Sequence, residues 1–122
     1  MKREDSNISL SNPIDVASWY FIKKKYLDSA PDKYIKVKVL SDSMAPTLVK
    51  GDVIQIKSAV FYKPKVGSII VFLHPNHDHT TIHRIVSIVE KGNNIFYRTK
   101  GDANSKKDYY LVPANEVIGV MV

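Results

Sequence analysis

The 122-residue chain has no cysteine. That excludes a disulfide framework, a thiolate nucleophile and a cysteine-based zinc site. Nowhere does the sequence approach the ~20 consecutive apolar residues that a membrane-spanning helix needs. Its first residues, Met1 to Asn12, are polar and mixed in charge, and no apolar signal-peptide core follows them. These absences lead to the expectation of a soluble chain, not exported by itself, and cytoplasmic or peripheral to a membrane. No heptad, longer repeat or low-complexity segment is present.

What is there is the balance of an ordinary globular protein, with 44% hydrophobic and 25% charged residues. The length fits one domain that can bury a core without staples. Lys plus Arg is 18 against 12 for Asp plus Glu, a net charge of +6. A cationic surface favours any polyanion. Here the charges are scattered, and nucleic acid is not expected as a partner. The tight run Lys23-Lys24-Lys25 reads as a solvated face.

Residues 1–12 are expected to be a mobile tail. Asn12-Pro13 reads as an N-cap followed by proline at the first helical position. A helix is predicted from about Pro13 to Ser29, ended by Pro31. Ile14, Ala17 and Phe21 fall on one stripe, and Trp19, Ile22 and Tyr26 on an adjacent one. From Tyr34 the period changes to two, with Ile35, Val37 and Val39 alternating with lysines. Further strands are predicted at Val53–Ile56, Ser68–Phe72, Thr81–Val89, Ile95–Arg98, Tyr109–Val112 and Glu116–Met121, with turns at Gly51-Asp52 and Gly92-Asn93-Asn94. This is a mostly antiparallel β protein with one N-terminal helix. Residues 1–33 form the tail and helix, and residues 34–122 the main domain.

Three segments carry chemistry. The first is Ser41-Asp42-Ser43-Met44-Ala45-Pro46-Thr47-Leu48, followed by Gly51-Asp52. A serine at the end of an apolar strand can present its hydroxyl to a cleft, but it needs a base to act as a nucleophile. Ser41, two residues earlier, lies on the same side of an extended chain. It can aim a hydroxyl at a developing oxyanion beside a backbone N–H. The second segment is Thr81-Ile82-His83-Arg84-Ile85-Val86, a histidine inside an apolar strand and suited to take a proton near neutral pH. The third is Thr99-Lys100-Gly101-Asp102-Ala103-Asn104 with Asp108 behind it. A buried carboxylate there can orient an imidazole. Singly, each has a plainer reading as a turn former or a structural side chain.

Together and in this order, the three segments resemble signal peptidase I, in particular its endoplasmic-reticulum, archaeal and Bacillus sporulation-type branch. That branch carries Ser-x-Ser-Met-x-Pro-Thr with a following Gly-Asp, a strand His-Arg pair, and Lys-Gly-Asp-x-Asn with a further Asp. The resemblance covers about residues 35–122 and extends to Val117-Ile118-Gly119 at the end. It implies Ser43 as nucleophile and His83 as general base. The bacterial branch and the related self-cleaving SOS-type repressors have lysine as base. For the third, acidic member it implies Asp108, with Asp102 as the other candidate or as a brace of the loop or base. Ser41 and the Ser43 N–H would form the oxyanion hole, and Met44 and Pro46 would shape the turn and the floor of the substrate cleft. The implied fold is a mostly β, partly closed antiparallel barrel-like sheet.

The implied activity is that of a serine endopeptidase that cleaves signal or leader peptides from precursor proteins. Its substrate would bind in extended form as an added strand, with small side chains at the first and third positions before the cut. No metal or organic cofactor is called for. Two positions depart from the branch: Asp42 stands where Gly is usual, and Ser68 follows Gly67 where Asp is usual. A third departure is larger. Ile14 to Leu27, with Lys23–Lys25 inside it, occupies the place of a membrane anchor. It is too short and too charged to span. It would either lie on an anionic membrane surface as an amphipathic helix or pack on the domain's own sheet.

Other readings compete. His74, His77, His79 and His83 with Asp78 fall in one stretch, and such residues can hold zinc or nickel. Pro75 and Asn76 mark a loop, however, and a solvated hairpin tip is the default reading, with no metal expected. A regulatory peptidase-like module is a second alternative. A soluble enzyme that trims leader peptides in the cytoplasm, apart from Sec-type export, is a third.

Overall fold

The computed structural model describes residues 7–10 and 16–122. The predicted helix start at Asn12-Pro13, and Ile14, lie outside the described residues. Among these residues one α-helix, α1 (Val16–Lys25), and eight strands are formed: β1 (Asn7–Leu10), β2 (Tyr34–Lys38), β3 (Val53–Lys57), β4 (Ile69–Leu73), β5 (Thr80–Lys91), β6 (Asn94–Lys100), β7 (Leu111–Pro113) and β8 (Val117–Met121). They make one sheet in the order β1-β2-β3-β8-β4-β5-β6-β7. The β1–β2 pair is parallel, and every other neighbouring pair is antiparallel. The sheet stays open, with β1 and β7 as its edges. The mainly β fold with an N-terminal helix is the one the sequence implies.

The apolar run of β4 has a direct cause: the strand is buried on both faces. Ile69, Val71 and Leu73 join a core with Trp19, Leu27, Ile35, Val37, Ile54, Ile56 and Ile118. Ile70 and Phe72 face a second core with Ile85, Tyr97, Val112, Val117 and Val120. Burying each such large side chain stabilises the fold by about 1.5–3 kcal/mol. The alternation read in β2 is also present, with Ile35 and Val37 inward. β8 lies between β3 and β4, pairing Lys57 and Ile70 with Val120. Gly119 permits that close approach. A Cβ there would lie 2.9 Å from both the Ile56 Cδ1 and the Lys57 carbonyl oxygen.

Three expectations are corrected and one open reading, the inward stripe of α1, is decided. Asn7–Leu10, within the expected tail, form β1 along β2. Of the two helix stripes, the one with Trp19 and Ile22 packs inward, while Phe21 is 65% exposed. Both stripes are apolar, so only the packing of the sheet decides between them. Lys23 is buried rather than solvated, because its Nζ donates to Asp28 Oδ2 at 2.8 Å. Asp28 also accepts from Ser58 Oγ at 2.6 Å on its other oxygen. The helical segment is shorter than predicted: α1 ends at Lys25, and Leu27–Ser29 form a 3-10 turn. Among the described residues no helix is long and apolar enough to cross a membrane.

Candidate active site

The site is built by the turn between β2 and β3, by β5, and by the loop between β6 and β7. The first turn is pinned at its base. Val39 N–H donates to the Asp52 carbonyl and Gly51 N–H to the Val39 carbonyl, both at 2.8 Å. Within it, Asp42 Oδ1 accepts from Lys50 N–H (2.8 Å) and Asp52 Oδ2 from Val49 N–H (2.9 Å). The aspartate at position 42 therefore fastens the turn that carries Ser43. Ser68 likewise serves its own loop, its Oγ accepting from Lys65 N–H at 3.0 Å. Met44 and Leu48 are buried beneath the turn in the first core, and Pro46 sits on the surface.

Ser43 Oγ lies 3.2 Å from His83 Nε2. On the other side of the ring, His83 Nδ1 lies 2.7 Å from Asp108 Oδ2. The imidazole is 7% exposed and packs edge-on to Phe72. Its register on β5, opposite Ile70, aims it from the middle of the sheet. Asp108 is held in its turn. Its N–H donates to the Thr99 carbonyl at 2.8 Å, and Thr99 Oγ1 donates to Oδ2 at 2.7 Å. Arg98 Nη1 donates to the Asp108 and Tyr110 carbonyls, each at 3.1 Å. The Tyr110 hydroxyl contacts Asp108 and Thr81; burial first, then the Asp108 charge, pushes this phenol far up.

Asp102 does not reach His83. It accepts from Arg84 Nε (3.0 Å, Oδ1) and Nη2 (2.8 Å, Oδ2), and from Thr47 Oγ1 (2.7 Å). The Arg84 hydrogen bonds hold its carboxyl down to about 2, against an opposing effect of burial, and Thr47 assists. Arg84 also donates to the Gly67 carbonyl at 2.9 Å. The same loop meets the serine turn through Ala103 N–H to the Ser43 carbonyl (2.9 Å) and Asp102 N–H to Met44 Sδ (3.3 Å). Gly101 is required by this closeness. A Cβ would lie 2.6 Å from the Ser43 carbonyl oxygen and 3.0 Å from His83 Nε2.

Ser41 Oγ is 3.3 Å from Ser43 Oγ and 3.5 Å from the Ser43 amide nitrogen. Carboxylate, imidazole and hydroxyl thus stand in series, an arrangement able to draw a proton from an attacking serine. The sequence gives no site role to Tyr110 or Arg98, nor to Thr99 at the head of the third segment. The period-two pattern of β6 does hold a signal, since Tyr97 and Thr99 are its two buried positions. The histidine-rich stretch divides. His74, Asp78 and His79 converge, His77 faces Glu116, and His83 stands apart from them in the Ser43 site.

Over residues 33–102, more than half of the chain, the sequence matches the family described as Signal peptidase, peptidase S26. The matched span includes Ser43, His83 and Asp102 and ends before Asp108. Signal peptidase I W of Bacillus subtilis (strain 168) is 36% identical over 76 residues, which are 62% of this chain and 40% of that protein. The signal peptidase complex catalytic subunit SEC11C of Homo sapiens is 36% identical over 73 residues, 59% of this chain and 38% of that protein. The signal peptidase complex catalytic subunit sec11 of Dictyostelium discoideum is 37% identical over 78 residues, 62% and 42% of the two chains. The chain spans about two fifths of the length of these relatives.

Proposed function

This chain belongs to the signal peptidase family, peptidase S26, and from that premise we propose that it is a serine endopeptidase cleaving signal or leader peptides from precursor proteins. Ser43 Oγ attacks the scissile carbonyl carbon while His83 Nε2 takes the hydroxyl proton. Asp108 orients the ring through Nδ1 and stabilises its charged form. Ser41 Oγ and the Ser43 N–H stabilise the oxyanion. His83 then passes the proton to the leaving amine, and water hydrolyses the acyl-enzyme with His83 again as base. Asp102 braces the loop against the serine turn. Met44 beneath the turn and Pro46 on its surface shape the cleft. The precursor binds in extended form and presents small side chains before the cut.

The observation that carries this reading is the series Ser43 Oγ, 3.2 Å, His83 Nε2, with His83 Nδ1 2.7 Å from Asp108 Oδ2. The test is cleavage of a panel of precursor peptides by wild type, Ser43→Ala and His83→Ala, read by mass spectrometry, with folding checked by circular dichroism. Wild type should cut after a small residue, and both variants should fail while folded. Cutting by Ser43→Ala at the wild-type rate would refute the nucleophile.

The precursor is met at a membrane surface. Phe21, Lys24 and Lys25 are exposed on one side of α1, spaced to share a face. An apolar ring beside two ammonium groups suits an anionic lipid interface. Vesicles containing anionic lipid should sediment the chain at low salt and release it at high salt. Failure to sediment at low salt would remove this part of the reading.

A further inference from the structure

The tip of the β4–β5 hairpin takes no part in the chemistry above, yet it gathers three metal-ligating side chains. His74 N–H donates to the His79 carbonyl at 3.0 Å, and His77 N–H to the His74 carbonyl at 2.7 Å. This closure sets the His74 and His79 rings face to face, with centroids 4.4 Å apart and an interplanar angle of 26°. Asp78 Oδ1 lies 2.5 Å from His79 Nδ1. One ligand atom from each of His74, Asp78 and His79 lies within 4.8 Å of the other two. We propose that these three side chains form a binding site for a divalent transition metal, zinc foremost.

Two imidazoles and a carboxylate are a donor set suited to zinc, with nickel as a weaker fit to the geometry. Zinc bonds of about 2.0–2.2 Å put tetrahedral ligand atoms roughly 3.4 Å apart. The Asp78–His79 pair must therefore open a little from 2.5 Å, and the wider spacing must close from at most 4.8 Å. Because the His74 and His79 rings are stacked, one ring must also turn so that both in-plane nitrogen lone pairs meet the ion. The Asp78 and His79 side chains are 69% and 51% exposed, and the stacked His74 ring is what confines His79. The fourth position is left to water.

The backbone beneath the cluster is restrained from two further directions. His77 Nε2 lies 3.5 Å from Glu116 Oε1, and Glu116 accepts from the Tyr20 hydroxyl at 2.9 Å. The His74 ring meets Tyr110 edge-on at 5.1 Å. The hairpin tip is thus tied to α1 and to the β7–β8 connection before any ion arrives. His83 stays outside the set, because both of its nitrogens are engaged by Ser43 and Asp108. A bound ion would fix His74 over Tyr110, the ring whose hydroxyl meets Asp108.

The test is calorimetric titration of the full chain, free of any polyhistidine tag, with zinc chloride. One zinc per chain is expected. His74→Ala and His79→Ala should each weaken binding by about tenfold or more, while His83→Ala binds as wild type and His77→Ala loses far less than either ligand variant. His79 is exposed, so its variant reports on binding even where His74→Ala disturbs the fold. Cobalt in place of zinc should give tetrahedral visible bands that vanish in His79→Ala. The proposal is overturned if wild type takes up no zinc, if His79→Ala binds as wild type, or if His77→Ala or His83→Ala loses binding to the same degree. None of these readouts depends on peptidase activity.

Discussion

Arg84 and Asp102 are joined by two side-by-side hydrogen bonds, Nε to Oδ1 at 3.0 Å and Nη2 to Oδ2 at 2.8 Å. The residue before Arg84, His83, bonds a different acid, Asp108. Adjacent positions of one strand therefore sort two aspartates into different tasks. A paired guanidinium makes Asp102 a structural charge whose worth depends on pH.

Folding holds the Asp102 carboxyl at about 2, below its ordinary 3.8, chiefly through Arg84. A depressed value means the contribution is whole above about pH 4 and is lost as the pH falls towards 2. The amount is roughly 1–2 kcal/mol at most, because Arg84 is partly solvated and screening reduces it. Urea midpoints measured from pH 7 to pH 2 should fall in that window for wild type and stay flatter for Asp102→Asn. Equal pH dependence in the two proteins would show that the pair contributes nothing.

Asp108→Asn keeps the shape of the third member and removes its charge. The peptidase rate should drop by about 10²–10⁴ with the fold intact. Asp102→Asn should retain far more activity at neutral pH. A ranking in the opposite order, measured on one precursor peptide, would exchange the two assignments.

Gly101→Ala should disable the site through space rather than charge. Its new methyl would press on the Ser43 carbonyl oxygen at 2.6 Å, on Asn104 Nδ2 at 2.7 Å and on His83 Nε2 at 3.0 Å. Two of those contacts belong to the reacting pair. Activity should fall by about a hundredfold or more, as misplacing reacting groups by an ångström does. Full activity in this variant would mean that the loop yields more easily than its hydrogen bonds suggest.

Thr99→Val removes one donor from Asp108 while keeping the volume of a fully buried side chain. The lost hydrogen bond is worth about 1 kcal/mol. The expected result is a several-fold lower kcat with little change in KM, restored by Thr99→Ser. A change confined to thermal stability, with kcat unaltered, would leave Thr99 a packing residue alone.

What the sequence made legible follows from how local each signal is. β2 is readable because Ile35 and Val37 alternate with polar neighbours, and β4 because both its faces are buried. Ser43, His83 and Asp108 were selected by short motifs, and the geometry brings these three together. The inward face of α1 was not legible, since Trp19 and Phe21 both look like core and the deciding surface is the distant sheet. Lys23 misleads for a similar reason: its partner Asp28 is also bonded by Ser58, thirty residues further on. Thr99 and Tyr110 carry no motif, and their link to Asp108 exists only once the β6–β7 loop has folded back. The convergence of His74 with His79 likewise needs the closed hairpin tip, which composition does not reveal.

β8 comes latest of the eight strands along the chain, yet it stands between β3 and β4 in the sheet. The serine turn hangs from β2 and β3, whereas His83 and Asp108 belong to the half that begins with β4. Among the described residues, no strand pairing joins the two halves until residues 117–121 are seated. A chain emerging from the ribosome delivers its N-terminal part first. Ser43 and His83 therefore emerge before the strand that brings them into register. Synthesis order itself thus delays assembly of the Ser43–His83–Asp108 series until β8 is in place.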